Sequence, residues 1–332
     1  MNEVKVVQIG LGPLGQKIAQ FIDQRKTIKI IGAVDQSPEI SGENLEALCR
    51  LEQNKLTIET SITECLKEKK PDVVILTTVS SMDLITPQIE EIVSLGLPVV
   101  TTCEELSFPW GISNDLANRI DHAAKKNNVA VLATGVNPGF LMDALPLFVT
   151  SVCQEVKNVK VSRIQDASFR RIPFQKKIGA GLTLEKFEEA RKRQTIRHVG
   201  LEESIKMIAY RLGWTLSKTE DVISPIIAKE EIKTENMFIS PGMCAGVQQI
   251  AKGYVNADEK ITLEFRASIG ETNPHDTIEI SGNPNIRSTI DGGLNGDVAT
   301  CAITINAIKQ VLNAEAGLRT MADIPILSYY DF

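Results

Sequence analysis

The sequence predicts an α/β protein: a doubly wound parallel sheet over 1–140, an α+β domain over 141–296, and a C-terminal helix within 297–332 that packs back on the first domain. Three observations carry that expectation. A short apolar run, Val4 to Ile9, ends in Gly10-Leu11-Gly12-Pro13-Leu14-Gly15 and leads into apolar residues at helical spacing. Apolar runs and amphipathic stretches then alternate as far as residue 133, the order that builds a parallel sheet. Beyond Asn137-Pro138-Gly139 the pattern changes to longer, alternating strands.

The elements follow in order. After the first strand, Leu14, Ile18, Phe21 and Ile22 mark a helix face, and a second strand over 28–35 closes a βαβ unit. Strands are predicted at 72–77, 97–102 and 129–133, with helices at 86–95 and 114–126 between them. In the second domain, 155–166 and 260–267 read as strands and 184–197 and 202–212 as helices, which suits a sheet open to one face. The turn Asp291-Gly292-Gly293-Leu294-Asn295-Gly296-Asp297 then introduces a helix over 298–312.

A length of 332 residues exceeds what one core organises, and 43% hydrophobic with 23% charged residues is ordinary globular composition. A net charge of -6 argues against a nucleic-acid partner, which needs clustered Lys and Arg. The run Arg191-Lys192-Arg193 is balanced by Glu188 and Glu189 and reads as a solvated helix face. The chain enters a strand almost at once, and its most apolar stretch is broken by Asn137, Pro138 and Asp143, so a cytoplasmic protein without a membrane span is expected. Six cysteines form no C-x-x-C pair and the three histidines no i, i+4 pair, so no metal is expected.

Gly10, Gly12 and Gly15 follow a strand and open a helix, the setting of a Rossmann dinucleotide turn, where Pro13 and Leu14 begin the helix whose N-terminus holds the pyrophosphate. Asp35 stands 35 minus 15, that is 20, residues further on, where a carboxylate can bond the adenosine ribose. Asp35 would repel a 2′-phosphate and Gln36-Ser37-Pro38 offers no cation to receive one, so NAD is preferred, with NADP admitted. Thr77 and Thr78, at the carboxyl end of a later strand, lie where the nicotinamide half would run.

The strand over 97–102 ends in Thr101-Thr102-Cys103-Glu104-Glu105, adjacent carboxylates at the ligand-binding end of a parallel sheet. This segment, continued through Leu106-Ser107-Phe108-Pro109-Trp110, resembles the 2,4-diaminopentanoate dehydrogenases and the related native amine dehydrogenases. So do Gly135-Val136-Asn137-Pro138-Gly139-Phe140, His198-Val199-Gly200-Leu201-Glu202-Glu203-Ser204 and the C-terminal Gly296-Asp297-Val298-Ala299-Thr300. The resemblance implies a dihydrodipicolinate reductase fold, a homodimer, and reversible NAD(P)-dependent deamination of an amine to a ketone with release of ammonia. The segment from Lys176 to Thr183 is faintly similar to the reductase's substrate loop, but its His-His pair and Asp-Ala-Pro-Ser-Gly-Thr core are missing, which disfavours dihydrodipicolinate as substrate.

The family's catalytic carboxylate maps to Glu104, with Glu105 as the alternative. A carboxylate partly withdrawn from water can accept the ammonium proton that must leave before hydride transfer. Asn137 and Phe140 are expected over the nicotinamide, and Phe140, Arg170, His198 and Asn295 against the substrate, with Arg170 or Arg171 pairing a substrate carboxylate. Two rival functions remain open: a semialdehyde dehydrogenase using Cys103 as nucleophile, and a non-catalytic NADH-sensing protein.

Overall fold

The computed structural model describes residues 3 to 331 other than 53, 68, 171 and 236. The chain divides into two compact units, Met1–Phe140 with Asn295–Phe332, and Leu141–Leu294.

The first unit is built on six strands, β1 (Val4–Ile9), β2 (Ile28–Val34), β3 (Ile58–Glu59), β4 (Val73–Leu76), β5 (Val99–Thr101) and β6 (Ala130–Ala133), joined by a C-terminal strand, Gly317–Arg319. The sheet order is C-terminal strand, β6, β5, β4, β1, β2, β3, and the paired strands are parallel throughout. Both faces are covered, which is why β4 and β6 are apolar and buried along their whole length. Helix α1 (Pro13–Asp23) and the C-terminal helix Gly296–Asn313 bury Ile18, Ile22, Ile305 and Ile308 on one face. On the other face, after the short α2 (Leu45–Cys49) and α3 (Ile62–Cys65), α4 (Met82–Ser94) and α5 (Asn114–Lys126) bury Ile85, Ile89 and Ile120. Strand order reverses between β1 and β4, the switch point at which open α/β sheets bind ligands. The strand at 317–319 was not expected from the sequence; at three residues it is too short to show a period.

The second unit holds a six-stranded mixed sheet and a small hairpin. Its strands are β7 (Glu155–Asp166), β8 (Lys218–Ile227), the hairpin β9 (Ile232–Lys233) and β10 (Phe238–Ile239), β11 (Cys244–Val255), β12 (Asp258–Ser268), β13 (His275–Asn283) and β14 (Ile286–Asp291). The order is β14, β13, β7, β12, β11, β8, with β7 and β12 parallel and the other pairs antiparallel. Helices α6 (Ala144–Val149), α7 (Ile172–Lys177), α8 (Leu184–Lys192) and α9 (Leu201–Leu212) complete it, with α9 packed on β11 and β12. The helix expected over 184–197 stops at Lys192, because Gln194 turns left-handed at φ 57° and the chain leaves the helical path. No helix among the described residues is long and apolar enough to cross a membrane.

Candidate dinucleotide and substrate sites

In the first unit, close packing fixes the β1–α1 turn. Gly10 has φ +86°, and a Cβ there would meet the Thr77 carbonyl oxygen at 2.7 Å; a Cβ on Gly15 would meet the Gly10 carbonyl oxygen at 2.0 Å. Buried Gln8 donates through Nε2 to Thr77 Oγ1 at 2.8 Å and to the Gly10 carbonyl at 3.1 Å, and the Thr77 hydroxyl donates to that same carbonyl at 2.8 Å. At the other side Asp35 accepts from Leu11 N at 2.7 Å and from Ser37 N at 2.8 Å. Gly12 differs from its neighbours: a Cβ on it would have nothing within 4 Å.

This geometry fits a dinucleotide. Helix α1 begins with Gly12 as its N-cap and Pro13 in its first turn, and carries no side-chain cap and no acidic residue there, so the positive helix end is not neutralised from within. Leu14 packs partly buried against the core. Thr78, one residue beyond Thr77, donates to Gln88 Oε1 at 2.7 Å.

The two adjacent carboxylates at the end of β5 have different surroundings. Both lie in a single 3-10 turn, Glu104–Leu106. Glu105 Oε2 accepts from Met82 N at 2.8 Å and so caps α4, whose N-terminus favours a negative charge. Glu104 is half-buried; its carbonyl accepts from Ser107 N at 3.1 Å, while its carboxylate accepts no hydrogen bond from the described residues. Cys103 is 1% exposed, and burial, reinforced by Glu104 and Glu105, pushes its thiol up to about 12, so a nucleophilic thiolate is disfavoured and the semialdehyde dehydrogenase reading loses its nucleophile.

Further along the same unit, Asn137 precedes a cis proline and is buried, and Val136 N donates to Thr300 Oγ1 at 3.2 Å. Phe140 is half-buried at the unit's edge. Asn295 accepts from Asp297 N and Val298 N, each at 3.1 Å, as the N-cap of the C-terminal helix; its side-chain oxygen therefore has a structural task.

In the second unit, Arg170 and His198 converge on a cluster the sequence reading did not contain. Asp276, Arg163, Phe265 and Gln249 are register partners across β13, β7, β12 and β11. The His198 ring stacks on Phe265 at a centroid distance of 4.4 Å, and its backbone is clamped by Gln249, which accepts from His198 N at 2.7 Å and donates to its carbonyl at 3.2 Å. Arg170 lies over the Phe174 ring at 4.1 Å. Burial, then the charges of Lys177, Arg163 and Arg170, hold the imidazole down to about 3, so His198 is neutral at physiological pH. Arg171 lies outside the described residues.

Arg163 could have been found from the sequence. In Val159, Val161, Arg163 and Gln165 the inward positions of β7 run apolar, apolar, charged, polar, and a charge on the core face of a strand is the informative exception. Gln8 offered a similar signal, a polar residue within an apolar parallel strand.

Residues 140–330 match the 2,4-diaminopentanoate dehydrogenase C-terminal domain. The chain belongs to the 2,4-diaminopentanoate dehydrogenase family. Residues 4–134 match the N-terminus of dihydrodipicolinate reductase. A 2,4-diaminopentanoate dehydrogenase of Acetoanaerobium sticklandii is 31% identical over 333 residues, 98% of this chain and 94% of that protein. Among solved structures, an amine dehydrogenase from Mycobacterium smegmatis shares the fold with TM-score 0.85 at 20% identity, covering 99% of this chain and 98% of that one. The WlbA dehydrogenase of Bordetella pertussis, solved with NADH and UDP-GlcNAcA, shares it with TM-score 0.53 at 13% identity, covering 93% and 88%. This member of the family is an oxidoreductase with a Rossmann-like parallel sheet and a second, mixed-sheet domain.

Two outcomes follow from the geometry. Gly12→Ala should melt like the wild type yet bind NADH at least about tenfold more weakly in a fluorescence titration, whereas Gly15→Ala should lose about 1–3 kcal/mol or more of stability through overpacking; equal melting of the two would contradict the packing described. For His198, the unfolded imidazole titrates near 6.5 and the folded one near about 3. The unfolded chain binds the extra proton between those values, so this group's stabilisation is present above pH 6.5 and lost as pH falls toward 3. Melting temperature against pH should therefore fall less steeply below 6.5 in His198→Gln than in the wild type, and parallel curves would show that the imidazole is not held neutral.

Proposed function

We propose that the protein catalyses reversible, NAD(P)-dependent oxidative deamination of a 2,4-diaminopentanoate-like amine to a ketone and ammonia, with Glu104 as the acid–base residue. The observation that carries this reading is the contrast at the end of β5: the Glu105 carboxylate caps α4, while the Glu104 carboxylate, beside it, accepts no hydrogen bond from the described residues, on a sheet whose switch-point turn fits a dinucleotide.

Deamination consumes an amine, the oxidised cofactor and water, and yields a ketone, ammonia, the reduced cofactor and a proton. The substrate arrives as an ammonium, whose nitrogen lone pair is occupied by the proton. Glu104 accepts that proton, freeing the lone pair to form the C=N bond as hydride departs from the same carbon. The bound nicotinamide supplies the hydride acceptor, and in the reverse direction the donor. Glu104 passes that proton to solvent, takes one from the water that adds to the C=N carbon and hands it to nitrogen; as ammonia leaves, the carbinolamine hydroxyl gives up its proton and the ketone forms. Asn137 and Phe140 wall the nicotinamide face in this reading, and Arg170 and His198 line the substrate end, with Asn295 shaping the turn that follows.

NAD is the preferred cofactor. Asp35 presents a carboxylate at the end of β2, held in place by Leu11 N and Ser37 N, and its remaining lone pairs suit a ribose hydroxyl rather than a phosphate. A homodimer, with the second unit carrying the contact, completes the proposal; Val222, on the edge strand β8, is 58% exposed.

Glu104→Gln should lower turnover of the amine by about 10²–10⁴-fold with NADH affinity kept. Glu105→Gln should instead lose about 1 kcal/mol of stability with the chemical step retained. The reverse pattern, read by stopped-flow NADH formation and thermal melting, would exchange the two roles. Asp35→Ala should narrow the ratio of kcat/KM for NAD over NADP, and an unchanged ratio would remove Asp35 from cofactor selection.

A further inference from the structure

The second unit buries an ion pair that is incomplete. Arg163 and Asp276 face each other on β7 and β13, 2% and 1% exposed, yet their closest approach, Nη1 to Oδ2, is 3.7 Å. That exceeds the 2.7–2.9 Å of a charge-assisted hydrogen bond. The turn after β14 explains the gap. Leu294 N donates to Asp276 Oδ2 at 2.7 Å, and the Leu294 carbonyl accepts from Arg163 Nη2 at 3.0 Å, so one atom of each partner is engaged by the backbone. Gly292 and Gly293, at φ +74° and +67°, permit that turn, and Gly293 lies close enough that a Cβ would touch Asp276 Oδ2 at 3.4 Å.

What remains is a buried donor, Arg163 Nη1, and a buried acceptor, Asp276 Oδ1, neither with a hydrogen-bond partner among the described residues. Leaving such groups unmatched is costly, the more so because both are charged. Burial outweighs their mutual attraction, holding Arg163 down to about 10 and Asp276 above the usual carboxylate range. The surroundings add positive charge: Arg170 and Lys177 act on the same imidazole as Arg163, and that imidazole, stacked on Phe265, is itself neutral. Gln165 stands between the two arginines with one amide oxygen, which reaches Arg170 Nη1 at 3.4 Å, or, turned over, Arg163 Nε at 3.0 Å.

We propose that the Arg163–Asp276 couple is a subsite for an α-amino carboxylate group, the ligand carboxylate taking hydrogens from Arg163 Nη1 and the ligand ammonium giving one to Asp276 Oδ1. A bare carboxylate would satisfy Arg163 but meet the Asp276 charge; a bare amine would do the reverse. Among charged ligands, a group carrying both signs completes the pair. Arg163 and Asp276 are thus specificity-determining residues, and Arg170 contributes further positive charge. The subsite rests on the proposed amine dehydrogenase reaction only for the identity of the physiological substrate, not for the binding itself.

The test separates the two. The holoenzyme with NADH is titrated calorimetrically with each enantiomer of norvaline, with pentanoate, which lacks the amine, and with butylamine, which lacks the carboxylate. One norvaline enantiomer should bind at least about tenfold more tightly than either truncated ligand, and Arg163→Lys should abolish that advantage by losing the fork geometry of the guanidinium. Asp276→Asn, the same shape without the charge, should lose discrimination against pentanoate. In turnover, kcat/KM for 2,4-diaminopentanoate should exceed that for 4-aminopentanoate and for 1,3-diaminobutane by about 100-fold, because polar groups left unpaired penalise the truncated substrates.

Norvaline binding no tighter than pentanoate and butylamine, as expected if a buried water merely bridges Nη1 and Oδ1, overturns the subsite whatever the turnover. Arg163-dependent norvaline binding without oxidation of any diamine upholds the subsite and removes the reaction. If both variants fail to fold, the wild-type ligand series decides alone.

Discussion

The first unit depends on a single close contact, Gly15 against the carbonyl of Gly10. A Cβ at 2.0 Å from that oxygen cannot exist, so the first turn of α1 sits against the β1 turn only because residue 15 has no side chain. The same carbonyl is gripped from below by Gln8 Nε2 and the Thr77 hydroxyl, which tie β1 to the end of β4 across the switch point. Asp35 then holds Leu11 N from the β2 side. Backbone groups that a tight turn would otherwise strand are paired in this way. The packing leaves Gly12 facing open space and the helix end uncapped, so the turn's rigidity and its capacity to receive an anion have the same origin.

The second unit follows a different rule. Its sheet places Arg163 in line with Val159 and Val161 on β7, and Asp276 in line with Ile278 and Ile280 on β13, where another apolar residue is expected; the turn at 292–294, with its two glycines, lets Leu294 use both its N–H and its carbonyl on the pair. A buried ion pair seldom stabilises a fold more than apolar residues of similar volume would. Stability is therefore a weak reason for this one to exist, and incomplete pairing makes it weaker still. Gln249 shows what satisfaction looks like in the same row: its amide is used by His198 N, the His198 carbonyl and Asp221.

Legibility in the sequence followed the strength of local periodicity. The parallel strands of the first unit were readable because burial on both faces makes them continuous apolar runs between Gly, Asn and Pro, and the glycine turn was readable because the Gly15–Gly10 contact spans only six residues, although Gly10 also packs on the distant Thr77 carbonyl. In the second unit only 155–166 and 260–267 stood out as strands. β11 mixes Gly246, Gln248, Gln249 and Gly253 into its length, and its first glycine is demanded by the Ala267 carbonyl of another strand, a long-range fact that no local window contains. Arg170 and His198 were nameable as polar residues near turns, but their neighbours Arg163, Gln165 and Asp276 come together through sheet register, across 276 minus 163, that is 113, residues of chain. Asn295 and Glu105 illustrate the opposite limit: each is a polar residue at a helix start, and only the structure shows the backbone N–H it accepts from.

The choice between Glu104 and Glu105 turns on how a carboxylate can serve as a proton carrier. A carboxylate that accepts a backbone N–H at a helix N-terminus complements the positive helix end and holds that end in place. Glu105 is so placed, through Met82 N. It also fixes the 3-10 turn against α4, with Glu105 N donating to Ser80 O at 3.3 Å, so the backbone at residue 104 is anchored one peptide away. The adjacent carboxylate is then presented from a held backbone without a capping task of its own, which leaves it available for the acid–base role proposed for it. The two glutamates are thus read as one device, the second holding the turn from which the first can act.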